Sequence, residues 1–191
     1  MSAETRHRPV NLTLQCFPDF DQTLVTVHTG GFWKGTEQEL AKHFRPMFEL
    51  LIPMAQEAGI QVAVTTFSSQ PSLIRKVLKL RLKESVVDRI LIRGEGNGSD
   101  AKDSWEPPKG VPDDGKVTHM ASAALAFGIA PEGTGGQKLL EALQNKVAVL
   151  IDDDEDNIDA AKEYKMSAVL LHAEAPTEAA EGTVVMDLLS L

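Results

Sequence analysis

The sequence predicts an α/β fold in which helices cover both faces of a central parallel sheet. Short apolar runs of strand length recur along the 191 residues, and segments with helical periodicity separate them. Parallel strands need long crossover connections, which helices supply, and such a sheet is usually buried on both faces. The chain length suits one domain, and hydrophobic residues at 42% are a normal proportion for a globular protein.

Each element has its own signal in the sequence. Strands are predicted for the apolar runs at residues 10–17, 61–65, 86–92, 146–151 and 167–171. Helices are predicted where apolar residues recur at helical spacing, at residues 36–58, 69–82, 116–127, 137–143 and 157–164. Residues 97–115 and 128–136 are predicted to be loops because Gly, Pro and polar residues accumulate there. For residues 183–189, a final strand and a short helix are both open.

Prolines and glycines refine the helix boundaries. Pro46 and Pro53 lie inside the segment 36–58, so we expect a break or a kink there rather than one straight helix. Gly59 is expected to end that segment. Pro71 lies in the first turn of the helix at 69–82, where the missing backbone N–H has no helical partner anyway.

Charge and cysteine content narrow the class of protein. The chain has 19 basic and 28 acidic residues and a formal charge of −9, which argues against bulk binding of nucleic acid or of a membrane surface. Its single cysteine, Cys16, has no partner for an internal disulfide, which fits a reducing compartment. No apolar run of signal-peptide or membrane-span length is found. We therefore expect a cytoplasmic protein without a membrane partner.

Polar residues directly follow three of the predicted strands. They are Asp19-Phe20-Asp21, Thr65-Thr66 and Asp152-Asp153-Asp154, and Lys116 opens a helix after a glycine. The carboxyl ends of parallel strands lie at one edge of the sheet, where ligands bind. Carboxylates placed so close repel one another unless a cation lies between them, and oxygen ligands suit Mg²⁺ better than Zn²⁺. The sequence therefore predicts a magnesium site at this edge, and the ion would attract a phosphate.

The order DxDxT…T…K…DDxxxN resembles that of the haloacid dehalogenase (HAD) superfamily, and within it the Mg²⁺-dependent phosphatases. The matching stretches are residues 19–24, VAVT ending at Thr65, GKVTH around Lys116, and LIDDDEDN at residues 150–157. The resemblance implies a three-layer, Rossmann-like HAD fold, an aspartyl-phosphate intermediate and one Mg²⁺ ion.

The resemblance also implies roles for the catalytic residues. Asp19 would be the nucleophile, and Asp21 would protonate the leaving oxygen and then activate water. Thr65 would hydrogen-bond the transferring phosphoryl group, with Thr66 as a competitor for that contact. Lys116 would neutralise the phosphate and the nucleophile. A carboxylate that attacks a phosphate dianion needs such positive charge, because like charges otherwise repel.

For the metal, the resemblance implies a set of aspartates. Asp153 would ligate Mg²⁺ together with Asp19 and the backbone carbonyl of Asp21. Asp152 would hold a metal-bound water or the lysine. Two residues depart from the family pattern: Gln22 stands where a glycine is usual, and Pro18 precedes the nucleophile and removes a backbone donor.

The spacing of the motifs leaves no room for a substantial cap insertion, so residues 1–191 are expected to form a single HAD-like domain. The loops at residues 28–33 and 94–115 would then shape the entrance. His28 and Trp33 are candidate substrate contacts, although packing within the loop explains them equally well. The partner would be a phosphorylated small molecule or macromolecule, and a homodimer is open.

Taken alone, each motif has a simpler interpretation. A D-x-D pair is often a solvated turn, and the acidic run after residue 150 also fits a helix N-terminus or a calcium loop. The four motifs in order favour a phosphatase, and a non-catalytic HAD-like scaffold that binds a phosphorylated ligand or protein is the alternative. A further group of basic residues is expected on a solvated helix face rather than in an anionic docking patch: Arg75, Lys76, Lys79, Arg81 and Lys83.

Overall fold

The structure is a computed structural model that describes residues 13–96, 98–131, 133–144 and 147–172. Its strands are β1 (Gln15–Pro18), β2 (Gln61–Thr65), β3 (Leu91–Arg93), β4 (Ala148–Asp152) and β5 (Ser167–Leu170). All neighbouring strands run parallel, and they form one sheet in the order β3-β2-β1-β4-β5. The first strand in the described part of the chain therefore lies in the middle of the sheet.

Helices connect these strands. They are α1 (Glu37–Ala41), α2 (Pro46–Glu57), α3 (Pro71–Arg81), α4 (Glu84–Val87), α5 (Val117–Ala126), α6 (Gly136–Leu143) and α7 (Glu155–Glu163). Local sequence explains where several begin. Thr36 and Glu39 form a capping box at α1, proline occupies the first turn of α2 and α3, and the Asp154 side chain caps α7.

Two hydrophobic clusters cover the two faces of the sheet. Alternate residues of a strand point to opposite faces, so Val62 and Val64 of β2 pack against α1 to α4. Ala63 packs into the second cluster with α5 to α7, where Phe17 and Leu150 also lie. The protein thus has three layers, with helices on both sides of a buried parallel sheet, as the sequence predicted.

Pro46 breaks the segment 36–58 as predicted, whereas α2 continues through Pro53. The segment is broken between Ala41 and Pro46, so it forms α1 and α2, and Pro46 begins the second helix. Pro53 lies inside α2. Gly59 has a φ of 83°, a left-handed conformation that ends the helix.

The strand predicted for residues 86–92 is wrong in its first half. Val86 and Val87 belong to the short helix α4, and β3 contains only Leu91–Arg93. Both valines are buried in the core from this helical turn. A short apolar run satisfies a buried helix and a buried strand equally well, so its periodicity could not separate them.

Arg75 corrects the expectation of a solvated basic face. Its side chain is buried, and its guanidinium donates two hydrogen bonds of 2.6 Å to the carboxylate of Asp103. Asp103 lies in a 3-10 turn within the predicted loop after residue 97. The ion pair therefore ties this loop to α3.

Some expectations fall on residues outside the described ranges. The choice between a strand and a helix at residues 183–189 is one of them, and the beginning of the strand predicted at 10–17 is another. In the part of the chain that is described, no helix combines the length and apolar character needed to cross a membrane.

Candidate active site

Asp19 lies at the carboxyl end of the central strand β1. Its backbone N–H donates to Ile151 of β4 at 2.8 Å, so the neighbouring strand fixes its position. Its carboxylate is buried and accepts a hydrogen bond of 2.7 Å from the ammonium of Lys116. Lys116 is also buried and directly precedes α5. The structure therefore brings together a carboxylate and an ammonium that the sequence places in separate motifs.

Pro18 does not break the sheet, although it lies in the central strand. Backbone N–H groups alternate along a strand, and those of Gln15 and Asp19 point to β4. The missing donor of Pro18 therefore faces β2. The pairing of β1 with β2 accordingly ends at Cys16 and Val62, whereas its pairing with β4 continues to Pro18 and Ile151.

The chain after Asp19 forms one wide turn over Phe20–Leu24. The N–H of Leu24 donates to the carbonyl of Asp19 at 3.3 Å, and that of Val25 donates to Phe20 at 3.0 Å. Gln22 has a φ of 55°, in the left-handed region that a non-glycine residue enters at a cost of about 1 kcal/mol. This backbone conformation gives a physical reason for the glycine that is usual after the second aspartate.

The Asp21 side chain is held by the loop that follows the turn. Its Oδ2 accepts a hydrogen bond of 2.8 Å from the Thr29 hydroxyl and lies 3.3 Å from Nδ1 of His28. Its Oδ1 has no hydrogen-bond partner within the described part of the chain. His28 thus contacts the predicted acid–base residue directly, and its substrate contact stays a prediction.

Three aspartates form a cluster that could hold a metal ion. One carboxylate oxygen from each of Asp19, Asp152 and Asp153 lies within 4.8 Å of the others, in the part of the chain that the structure describes. Oδ1 of Asp152 accepts hydrogen bonds from the Asp154 N–H at 3.0 Å and from the Asn157 amide at 3.1 Å. Its buried Oδ2 has no partner among the described residues. An oxygen-only set with one buried oxygen left over fits a hard divalent cation.

A hydrogen bond to the Asp153 carboxylate explains the threonine of the DxDxT motif. Thr23 donates to Asp153 at 3.1 Å, which fixes the carboxylate that the sequence assigned to the metal. The side chain of Asp21 is not part of the cluster, since His28 and Thr29 hold it elsewhere. Its predicted role as a ligand through the backbone carbonyl stays a prediction.

Burial and crowding shift the pKa values of the clustered carboxyl groups. Burial raises the pKa of Asp19 to about 7, against the lowering effect of Lys116, and the nearby Asp152 raises it further. Burial also raises the pKa of Asp152 and of Asp153. A divalent cation between the three groups would favour their charged forms.

The aspartates and Lys116 open onto one small cavity of about 160 Å³. Asp21, His28 and Thr66 also line it. In the described residues, Thr65 is not part of its wall: it is fully buried, and its hydroxyl has no partner there. The structure thus puts Thr66 rather than Thr65 on the cavity wall, and a phosphoryl contact by either residue stays a prediction.

Trp33 lies away from this cavity, as far as the described residues define its wall. Its indole Nε1–H donates to the carbonyl of Thr36 at 3.2 Å, and its ring meets His43 edge-on with centroids 6.4 Å apart. Packing within the loop therefore accounts for Trp33, and the geometry gives no support to its predicted substrate contact.

Sequence reasoning missed an aromatic group beside the lysine. Phe67 lines the cavity, and the ammonium of Lys116 lies 3.9 Å from the centre of its ring. His119 packs edge-on against Phe67, with ring centroids 5.3 Å apart, and at a tilt against Trp105, with ring centroids 4.8 Å apart. Burial lowers the pKa of His119 to about 3, with further lowering by Lys116 and Arg93. The spacing of His119, three residues after Lys116 on one helix, was an available signal.

Comparison with known proteins supports the fold. The sequence matches no protein-family model and no curated protein. Among solved structures, the HAD domain of the effector protein Lem4 from Legionella pneumophila matches with a TM-score of 0.51 and 11% sequence identity, over 93% of this chain and 94% of that chain. An inactive mutant of that domain matches with a TM-score of 0.49 and 10% identity, over 93% of each chain.

At such low identity the likeness concerns the fold alone. Together with the five parallel strands and the helices on both faces, it shows that this chain has the α/β, Rossmann-like HAD fold. The fold class predicted from the sequence is therefore confirmed.

Proposed function

We propose that this protein is a Mg²⁺-dependent phosphatase that hydrolyses phosphate monoesters through an aspartyl-phosphate on Asp19. One observation supports the proposal above all. Asp19 pairs with buried Lys116 and also belongs to a cluster of three aspartates, and all of these residues line one cavity at the carboxyl edge of the sheet. The substrate would be a phosphorylated small molecule or macromolecule.

In the first step, an oxygen of Asp19 attacks phosphorus and the bond to the leaving oxygen breaks. Lys116 neutralises charge on the carboxylate and on the phosphoryl oxygens, and Thr66, which lines the wall, would hydrogen-bond the phosphoryl group. Asp19, Asp152 and Asp153 would hold Mg²⁺, which when bound supplies positive charge against the developing negative charge on phosphate.

Asp21 is the proposed acid and base. As a carboxylic acid it gives its proton to the leaving oxygen while the P–O bond breaks. As a carboxylate it then takes a proton from the water that hydrolyses the aspartyl-phosphate. Dividing hydrolysis into two displacements lowers the barrier of each.

The entrance is proposed to be formed by loops rather than by a cap domain. His28 and Gly31 of the first loop line the cavity. Trp105 of the second loop donates to the Gly94 carbonyl at 2.9 Å and packs on His119, which connects that loop to the wall through Phe67. Such an open arrangement suits a bulky phosphorylated substrate.

The proposal is tested by hydrolysis of p-nitrophenyl phosphate with Mg²⁺, with EDTA, and by the variant Asp19→Asn. Wild-type turnover that EDTA abolishes, together with a loss of at least about 1,000-fold in Asp19→Asn, is expected. Asp159→Asn is the matched control, because Asp159 is exposed on α7 and lies off the cavity wall. Wild-type protein that binds Mg²⁺ and beryllofluoride in calorimetry without any turnover would contradict the phosphatase and favour the non-catalytic scaffold.

A further inference from the structure

The orientation of Asp21 has to be fixed if it is to transfer a proton, and this inference rests on the function proposed above. Thr29 is the closest donor to this carboxyl group, with its hydroxyl 2.8 Å from Oδ2. His28 lies farther away, at 3.3 Å, and its side chain is 66% exposed. Oδ1 has no partner in the described ranges, so it is the oxygen left for a bound group.

The loop that contains Thr29 is itself held in place. The Gly31 carbonyl accepts hydrogen bonds of 3.2 Å from the N–H and from the hydroxyl of Ser69. Trp33 N–H donates to the Gln70 side chain at 2.6 Å, and the Gln70 amide donates back to the Trp33 carbonyl at 3.3 Å. The loop is therefore attached to the start of α3 on one side and to Asp21 on the other.

Two glycines permit this path of the chain. Gly30 and Gly31 have φ values of 67° and 77°, in the left-handed region that glycine enters without steric cost. The paired left-handed residues turn the chain between Thr29 and the contacts with Ser69 and Gln70. The position of the Thr29 hydroxyl is thus determined by the fold on both sides rather than by its contact with Asp21 alone.

We propose that Thr29 is a positioning residue for the acid–base step. Its hydroxyl donates to Oδ2 of Asp21, which leaves Oδ1 to carry the proton that moves to the leaving oxygen. The bond from phosphorus to the leaving oxygen breaks, the bond from Asp19 to phosphorus forms, and the Oδ1 proton ends on the released alcohol. Thr29 itself gains and loses no proton in this step.

The test uses substrates that differ in their need for a proton. The p-nitrophenolate anion leaves readily without a proton. The leaving oxygen of β-glycerophosphate is a poor leaving group and must be protonated as glycerol departs. We expect Thr29→Val to lower kcat/KM for β-glycerophosphate by about tenfold or more and for p-nitrophenyl phosphate by less than about threefold. Thr29→Ser retains the hydroxyl and should stay within about threefold of wild type for both esters.

Two controls separate positioning from a loss of structure. Thr134→Val removes a hydroxyl that donates to the Pro131 carbonyl off the cavity wall, and it should alter neither rate. In an Asp21→Asn background, Thr29→Val should have no further effect, because the carboxamide has no acidic proton to transfer to the leaving oxygen. If Thr29→Val fails to fold by circular dichroism, Thr29→Ala serves for the same comparison.

The outcomes distinguish this inference from the proposed function. Equal losses for the two esters, or effects of Thr29→Val that simply multiply with those of Asp21→Asn, would overturn the positioning role while the phosphatase stands. Wild-type protein without Mg²⁺-dependent turnover of either ester would refute the phosphatase itself, and the positioning role would fall with it.

Discussion

Replacement of Arg75 by methionine is expected to destabilise the protein by about 3–5 kcal/mol, because it leaves the buried carboxylate of Asp103 without its charged partner. The Arg75 side chain is 7% exposed, and that of its partner Asp103 is 1% exposed. Besides two bonds of 2.6 Å to Asp103, the guanidinium donates to the carbonyls of Val87 at 3.1 Å and Ile90 at 3.0 Å. Methionine fills the space but donates to none of these acceptors.

The measurement is urea unfolding followed by circular dichroism. For a chain of this size, the loss corresponds to a fall in Tm of roughly 6–20 °C at about 2–4 °C per kcal/mol. Arg89→Met is the matched control, because Arg89 is exposed and, in the described chain, its side chain hydrogen-bonds only the nearby Ser85 carbonyl, at 3.2 Å. It should change the unfolding free energy by less than about 0.5 kcal/mol.

The double variant Arg75→Met/Asp103→Asn gives the sharper comparison. Removing the charge of Asp103 as well relieves the unpaired carboxylate, so the double variant should be less destabilised than the sum of the two single variants. Additive effects, or a loss below about 1 kcal/mol in Arg75→Met alone, would refute the argument that a desolvated ion pair anchors the loop.

Three further outcomes are expected. The pKa of His119 is about 3 in the folded protein and 6.5 in the unfolded chain. Between these values the unfolded chain binds more protons, so the free energy of unfolding decreases as the pH is lowered. Between pH 7 and pH 5, wild type should lose about 2 kcal/mol more than His119→Leu in urea unfolding. Gly136→Ala should cost about 1–3 kcal/mol, because the new methyl group meets the Gly110 carbonyl, whereas Gly135→Ala has open space and should cost under about 1 kcal/mol by the same method. Asp153→Asn should weaken Mg²⁺ binding by at least about tenfold in calorimetry.

The parts of the fold that could be predicted are those with a single strong signal. Strand β2 has the predicted bounds, since its centre is apolar, three of its five residues are β-branched, and Gly59 ends the preceding helix shortly before it. The break before α2 follows from Pro46, whose ring cannot continue the helix before it. The strand prediction around Val86 was wrong because an apolar run indicates burial, and both α4 and β3 contain buried residues.

Arg75 shows what residue type alone conceals. It lies on the same helical face as Ile74 and Leu78, both buried, so its position indicated burial while its charge suggested solvent. What reverses the expectation is Asp103, 28 residues later, and no local pattern links the two. Long-range pairs of this kind are invisible to periodicity.

Some residues of the candidate site could also be predicted from the sequence, and others could not. Asp19, Lys116 and Asp152 could be placed at one edge because each ends a strand or opens a helix. The choice between Thr65 and Thr66 could not be made, because it depends on how the chain leaves β2. The contact of Thr29 with Asp21 depends on the path of a glycine-containing loop, which has no periodicity to predict it.

The central position of β1 has a consequence for synthesis of the protein. β1 is made before its partners, since Lys116 follows Asp19 by 97 residues and Asp153 follows Thr23 by 130. At about 5–20 residues per second, the ribosome needs on the order of ten seconds to deliver these partners. Throughout that interval the β4 side of β1 is an unpaired strand edge. The edge of the sheet that carries the aspartate cluster is therefore completed only after β4 has been made.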